Sequence, residues 1–223
     1  MLLKPMPEGL KMIEHVLPGD IEKKSFEIIA SELKDMGISL DPEMDPIIRR
    51  AIHTSADFDY AKTLVFSENA VRTARDIIAG GADIITDTNM ALTGINKRKL
   101  AYYDGEARCY MADPIVAEEA RIRGLTRAAV SMEHAARDKN ASGRKTIFAI
   151  GNAPTALIAL RNMYDEGTFR PDFIIGVPVG FVNVVEAKEL IIETDIPYIV
   201  NRGRKGGSNV AAAIVNALLY GME

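Results

Sequence analysis

The chain has 223 residues, of which 48% are hydrophobic and 26% are charged, and its formal net charge is −4 at pH 7. This length suits one α/β domain with a well-buried core, and the negative charge argues against a nucleic-acid partner. The single cysteine, Cys109, excludes an internal disulfide and suits a reducing cytoplasm.

The first 80 residues are predicted to be mainly helical and to form an appended layer. Residues 1–10 have no apolar stretch typical of a secretory signal peptide, so we expect a cytoplasmic protein. The longest apolar run, Val210–Tyr220, is too short to cross a membrane. Apolar spacing and capping residues predict three helices: one from Asp20 to Gly37, one from about Pro42 to His53, and one capped by Ser67 and ended by Gly80-Gly81.

From residue 81 onward, short apolar strands alternate with amphipathic helices. Five strands are predicted, at Asp83–Thr86, Arg108–Ala112, Thr146–Ile150, Phe173–Val177 and Tyr198–Val200. The helices are predicted at Pro114–Arg123, Thr126–Lys139, Pro154–Tyr164, Val184–Ile192 and Ser208–Tyr220. This alternation predicts a three-layer α/β fold, a five-stranded parallel sheet covered on both faces. We therefore expect one domain over residues 1–223, with its α/β core at 81–223.

Ligands of open α/β sheets bind beyond the carboxyl ends of the strands. The segment that follows the last predicted strand, residues 201–208, is here called the basic loop. It contains three cations and three glycines: Arg202, Gly203, Arg204, Lys205, Gly206 and Gly207. Ser208 is predicted to cap the final helix, whose first amides attract anions. The pattern favours a clamp for a carboxylate or phosphate, and a solvated basic turn is the alternative.

A second glycine-containing turn, Gly151–Thr155, follows the predicted strand Thr146–Ile150. Pro154 suits the first turn of a helix, which places the cap at Asn152 or Ala153. Asn152 and Thr155 are candidate ligand contacts, although a plain strand-to-helix turn would have the same pattern. Neither glycine-rich segment has the fingerprint of a phosphate loop or of a dinucleotide site, so nucleotide binding is weakly supported.

His53 lies where a short helical pattern gives way to a loop rich in serine and aspartate. An imidazole can exchange a proton near neutral pH, and Arg49 and Arg50 could hold an anion beside it. Possible hydrogen-bond partners of His53 are Ser55, Asp57 and Asp59. The other two histidines, His15 and His134, are interpreted as surface or structural residues. Three scattered histidines and one cysteine do not predict a metal site.

Several separated motifs resemble the precorrin-8X methylmutase family over essentially the whole chain. They are Ile150–Leu157, Pro178–Val182, Arg202–Ser208, Lys24-Ser25-Phe26 and the segment around His53. The resemblance implies a flavodoxin-like fold and a homo-oligomer with its active site near a subunit boundary. It also implies migration of a methyl group from C-11 to C-12 of a corrinoid, with His53 as the catalytic residue and Ser25 in contact with the substrate.

Our hypothesis is that His53 donates a proton or a strong hydrogen bond to the macrocycle, and that local cations bind the carboxylates of the substrate. Arg49, Arg50, Arg202, Arg204 and Lys205 are the available cations. The reaction transfers no electron and no external group, so we expect no cofactor and no protein-bound metal. Two alternatives stay open: a corrinoid carrier without catalysis, and an α/β enzyme that binds a nucleotide or a sugar phosphate.

Overall fold

The computed structural model describes residues 17–222, so that the opening segment and His15 lie outside the described residues. Internal contacts divide the chain into two units, one ending at Ser39 and one starting at Leu40. The first unit contains a 3₁₀ turn at Pro18–Asp20 and helix α1 at Ile21–Asp35, close to the predicted helix. Gly37, with φ +68°, follows the end of α1.

The second unit contains six strands and ten helices among the described residues. The strands are β1 Leu64–Phe66, β2 Asp83–Thr86, β3 Ala107–Arg108, β4 Thr146–Ile150, β5 Phe173–Gly176 and β6 Tyr198–Asn201. The helices are α2 Asp45–Ser55, α3 Tyr60–Thr63, α4 Ala70–Ala79, α5 Asn89–Gly94, α6 Lys97–Tyr102, α7 Pro114–Arg123, α8 Arg127–Ser142, α9 Pro154–Asp165, α10 Val184–Ile192 and α11 Ser208–Tyr220. No helix in the described part of the chain is both long and apolar enough to cross a membrane.

The sheet is mixed, with strand order β1-β6-β5-β4-β2-β3. The five predicted strands are present and parallel, but β1 adds a sixth strand that pairs antiparallel with β6. The prediction of a purely parallel, five-stranded sheet is therefore corrected. The three residues of Leu64–Phe66 are too few to show a strand periodicity.

Two of the boundaries that differ from the sequence prediction have a clear structural cause. Strand β3 ends at Arg108, not at Ala112, because the chain turns where the Asp113 N–H donates to the Tyr110 carbonyl at 3.0 Å. Helix α4 starts at Ala70 because Ser67 extends the pairing with β6 instead of capping the helix. The Ser67 N–H donates to the Tyr198 carbonyl at 3.0 Å, and the Ser67 Oγ accepts from the Tyr198 N–H at 2.9 Å.

Helices cover both faces of the sheet. Helix α9 connects β4 to β5, while α5 and α6 connect β2 to β3 in the opposite direction across the sheet. Because such connections are right-handed, the two sets of helices lie on opposite faces. Helix α11 packs on α2, α4 and α5, whereas α9 packs on α8 and α10. Strands β2, β4 and β5 are buried along their whole length, which explains their apolar interiors. The buried polar residues of β2 and β4 are at the strand ends, at Asp83, Thr86 and Thr146.

Candidate active site

The segments that follow four parallel strands meet at the carboxyl edge of the sheet. Gly151, after β4, lies so close to the start of α11 that a Cβ added to it would be 2.8 Å from the Ser208 nitrogen. The hydroxyl oxygens of Thr88, after β2, and Ser208 are 2.7 Å apart. The segment after β5 joins them because the Gly207 N–H donates to the Val177 carbonyl at 2.9 Å. The segments that follow β2, β4, β5 and β6 therefore converge at this edge of the sheet.

Asp87, a residue not among the predicted site residues, fixes the turn after β4. Its side chain is fully buried. One carboxylate oxygen accepts the Gly151 N–H at 2.9 Å, and the other accepts the N–H groups of Asn152 and Ala153 at 2.7 and 2.6 Å. Burial raises the pKa of Asp87, and the three backbone donors oppose that rise. The sequence predicts the N-cap of α9 at Asn152 or Ala153, and it is Ala153. The carboxylate that accepts the N–H groups at this helix start comes from Asp87.

His53 lies on the last turn of α2, which ends because Ala56 adopts a left-handed conformation with φ 53°. Its side chain is exposed. It lines a cleft of about 320 Å³ between α2, α5 and α11, together with Arg50, Thr54, Met90, Gly94, Asn209, Ala212, Ala213 and Asn216. The Asn209 amide donates to the Thr54 carbonyl at 3.3 Å, which ties the start of α11 to the residue beside His53. This cleft therefore adjoins the carboxyl edge of the sheet.

The aspartates predicted as partners of His53 bind a lysine of the basic loop. The Lys205 ammonium lies 2.6 Å from a carboxylate oxygen of Asp57 and 2.6 Å from one of Asp59. The hydrogen bond from Lys205 lowers the pKa of Asp57, and the two carboxylates raise the pKa of Lys205. Two ion pairs thus connect the basic loop to the segment that follows His53. Ser55 binds the backbone of its own helix at the end of α2, because its hydroxyl donates to the Ala51 carbonyl at 2.7 Å.

The other cations of the basic loop are exposed. A guanidinium nitrogen of Arg202 lies 3.5 Å from a carboxylate oxygen of Glu189. The Arg204 guanidinium lies over the ring of Phe181, 5.5 Å from its centroid. Ser208 does not cap α11 as predicted. Gly207, with φ 146°, occupies the N-cap position, and Ser208 is the first helical residue, with its hydroxyl directed to Thr88.

The remaining predicted site residues are spread over several elements. Arg50 lines the cleft, with its guanidinium 4.8 Å from the centroid of the Tyr220 ring. Arg49 binds Asp45 one helical turn earlier, with 2.6 Å between Nε and Oδ1. The Asn152 side chain is exposed beside Gly151, whereas the Thr155 hydroxyl accepts a hydrogen bond of 2.8 Å from Thr126 at the start of α8. Ser25 belongs to the first unit, where its hydroxyl donates to the Ile21 carbonyl at 2.9 Å.

Lys188 is a second residue that the sequence analysis did not select. It lies on α10 and is fully buried. Its ammonium donates to the carbonyls of Gly203 and Lys205, each at 2.8 Å. Burial lowers its pKa to about 8. The sequence gives little signal for this role, because Lys188 lies between Ala187 and Glu189 on a helix that has charged as well as apolar residues.

Comparisons with known proteins agree on one family. The family model for precorrin-8X methylmutase matches residues 20–221. The chain is 45% identical to a cobalt-precorrin-8 methylmutase of Salmonella typhimurium, over 91% of this chain and 95% of the relative. It is 37% identical to a precorrin-8X methylmutase of Pseudomonas aeruginosa, over 93% of this chain and 98% of the relative. A solved precorrin-8X methylmutase from Thermus thermophilus superposes with a TM-score of 0.79 at 35% identity, covering 90% of this chain and 96% of the other.

Proposed function

Since the chain belongs to the precorrin-8X methylmutase family, isomerases of cobalamin biosynthesis, we propose that it moves a methyl group from C-11 to C-12 of the corrinoid ring. The substrate is precorrin-8X or its cobalt-containing form, and the product is hydrogenobyrinate or cobyrinate. Cobalt, where present, enters as part of the substrate. Relatives named for either form align over most of this chain, so both forms are candidate substrates.

The observation that carries the mechanism is the exposed imidazole of His53 in the cleft between α2, α5 and α11. In our proposal His53 donates a proton to a ring nitrogen of the bound macrocycle. The protonated ring redistributes its charge and lowers the barrier to a sigmatropic methyl shift. Return of the proton to His53 then completes the cycle without any external group. A positioned acid–base residue of this kind contributes about 10²–10⁴-fold to the rate.

Local cations would bind the carboxylates at the rim of the substrate. Arg50 supports this role because it shares the cleft with His53. Arg202 and Arg204 support it through their exposure on the basic loop, next to the start of α11. Lys205 already binds Asp57 and Asp59, so we assign it chiefly to holding the loop against the segment after His53. Ser25, Asn152, Thr155, Arg49 and Ser208 stay predicted substrate contacts.

Several wider features are proposals that follow from the family. The order β3-β2-β4-β5-β6 of the five parallel strands supports a flavodoxin-like connectivity. We also propose a cytoplasmic homo-oligomer that requires no cofactor and folds as one domain over residues 1–223. In the oligomer, the active site would lie near a subunit boundary.

An absorbance assay tests the reaction directly. The wild-type protein is mixed with precorrin-8X and, separately, with cobalt-precorrin-8, and the spectrum of the macrocycle is followed. We expect conversion of at least one substrate to the rearranged corrin, because the methyl shift changes the conjugation of the ring. Tight binding of both without conversion would identify a carrier, and failure to bind either would refute the corrinoid assignment.

A further inference from the structure

Lys188 places a buried positive charge directly behind the basic loop. Its side chain is fully buried, and the other buried residues of α10 are apolar. Its ammonium donates to the carbonyls of Gly203 and Lys205, both in the loop, at 2.8 Å each. The carboxylate of Glu189, the next residue on the same helix, opposes the effect of burial on the pKa of Lys188. The hydrogen bonds of this lysine therefore act on the backbone of the loop.

Buried donors hold the loop backbone at further points. The Asn201 amide donates to the Lys205 carbonyl at 2.8 Å, so that this carbonyl accepts two hydrogen bonds, from Asn201 and Lys188. The Asn201 amide oxygen accepts the Thr63 hydroxyl at 2.7 Å. A Cβ added to Gly206 would lie 2.0 Å from the Val177 carbonyl oxygen, which shows how closely the loop packs on the segment after β5. With its carbonyls turned inward, the loop presents its cationic side chains to solvent.

A buried ammonium is costly, and an apolar residue of similar length would pack in its place at lower cost. Lys188 supplies what such a residue cannot, namely a donor for the Gly203 carbonyl and a second donor for the Lys205 carbonyl, which also accepts from Asn201. We propose that Lys188 is a positioning residue that fixes the basic loop in the shape that meets the carboxylates of the corrinoid. This inference rests on the proposed function, and it concerns binding of the substrate, not the proton transfer at His53.

The test compares Lys188→Met with Lys139→Met. Lys139 on α8 is the control because its ammonium also donates to a carbonyl, that of Arg170 at 3.1 Å, and pairs with Asp172 at 2.9 Å. Both partners precede β5, at the edge of the parallel strands opposite to the basic loop. We expect Lys188→Met to raise the KM for the corrinoid substrate at least tenfold and to change kcat less than threefold. The Kd of the product, measured by absorbance titration, should rise by a similar factor. Lys139→Met should leave all three quantities within twofold of wild type.

Amide hydrogen exchange provides a readout that does not depend on turnover. Residues 202–207 should exchange faster in Lys188→Met while strand β4 keeps its wild-type protection. If Lys188→Met does not fold, Lys188→Gln, which keeps one donor group, should show the same pattern with a smaller rise in KM. An unchanged KM in a folded Lys188 variant, or a fall in kcat alone, would overturn the inference. A wild-type protein that converts no corrinoid would instead refute the proposed function and the inference with it.

Discussion

Replacing Asp87 by asparagine would change one oxygen of a buried carboxylate into an NH₂ group. The carboxylate accepts three backbone N–H groups, two on one oxygen and one on the other. The amide oxygen of asparagine can keep the pair from Asn152 and Ala153. Its NH₂ group then faces the Gly151 N–H, and that donor has no acceptor. Since Gly151 packs against Ser208, the change acts on the turn beside the proposed active site.

The expected loss of stability follows from these three bonds. A buried donor left without an acceptor costs about 1–3 kcal/mol, and each remaining bond loses roughly 1 kcal/mol when the acceptor loses its charge. Relief of the buried charge offsets part of this, in line with the raised pKa of Asp87. We expect the free energy of unfolding to fall by about 2–4 kcal/mol in Asp87→Asn.

Urea unfolding at pH 7, followed by circular dichroism, measures this difference. Asp113→Asn is the matched control, because Asp113 caps α7 by accepting the Ile115 N–H at 2.8 Å in a more exposed position. Asparagine caps helices as well as aspartate, so the control should change stability by less than about 0.5 kcal/mol. An Asp87→Asn protein as stable as the control would refute the view that the charge of Asp87 holds the turn.

Four further outcomes are expected. Gly206→Ala should destabilise the fold by more than about 3 kcal/mol in thermal unfolding, because its Cβ would lie 2.0 Å from the Val177 carbonyl oxygen. At Gly203 a Cβ would meet open space, but the backbone φ is +75°, so Gly203→Ala should lower the free energy of unfolding by only about 1–2 kcal/mol. Burial and the charge of Asp57 raise the pKa of Tyr60 to about 12. The stability that neutral Tyr60 contributes is therefore lost as the pH rises from 10 to 12, a loss of about 3 kcal/mol that Tyr60→Phe should not show. Arg204→Ala should raise the KM for the corrinoid about tenfold with little change in kcat, whereas an unchanged KM would remove Arg204 from the site.

Much of the fold could be predicted because its signals are local. Helix α7 has the predicted bounds, since Asp113 caps it, Pro114 opens it and the left-handed Gly124 ends it. Helices α10 and α11 also have their predicted bounds. Strand β1 was not predicted because it has three residues and depends on pairing with β6, more than 130 residues later. Such pairing leaves no periodic pattern in so short a segment.

The candidate site shows the same division. The position of His53 at a helix end and the convergence of the loops follow from local patterns and from the parallel topology. The ion pairs of Lys205 could not be predicted from local patterns, because Asp59 lies 146 residues away in the chain. The roles of Asp87 and Lys188 could not be predicted because they depend on backbone groups, the N–H groups after β4 and the carbonyls of the basic loop. Because nearly every residue has the same backbone N–H and carbonyl groups, the sequence does not indicate which of them a side chain will bind.

Single-turnover absorbance with His53→Ala tests the central claim most directly. The matched control is His134→Ala, since the His134 imidazole on α8 lies 2.7 Å from a Glu119 carboxylate oxygen and does not line the cleft. With precorrin-8X and with its cobalt form, we predict that His53→Ala slows the methyl shift by about 10²–10⁴-fold while the Kd of the product stays within about threefold of wild type. His134→Ala should turn over at the wild-type rate. A His53→Ala protein that rearranges the corrinoid as fast as wild type would contradict the assignment of His53 as the proton donor.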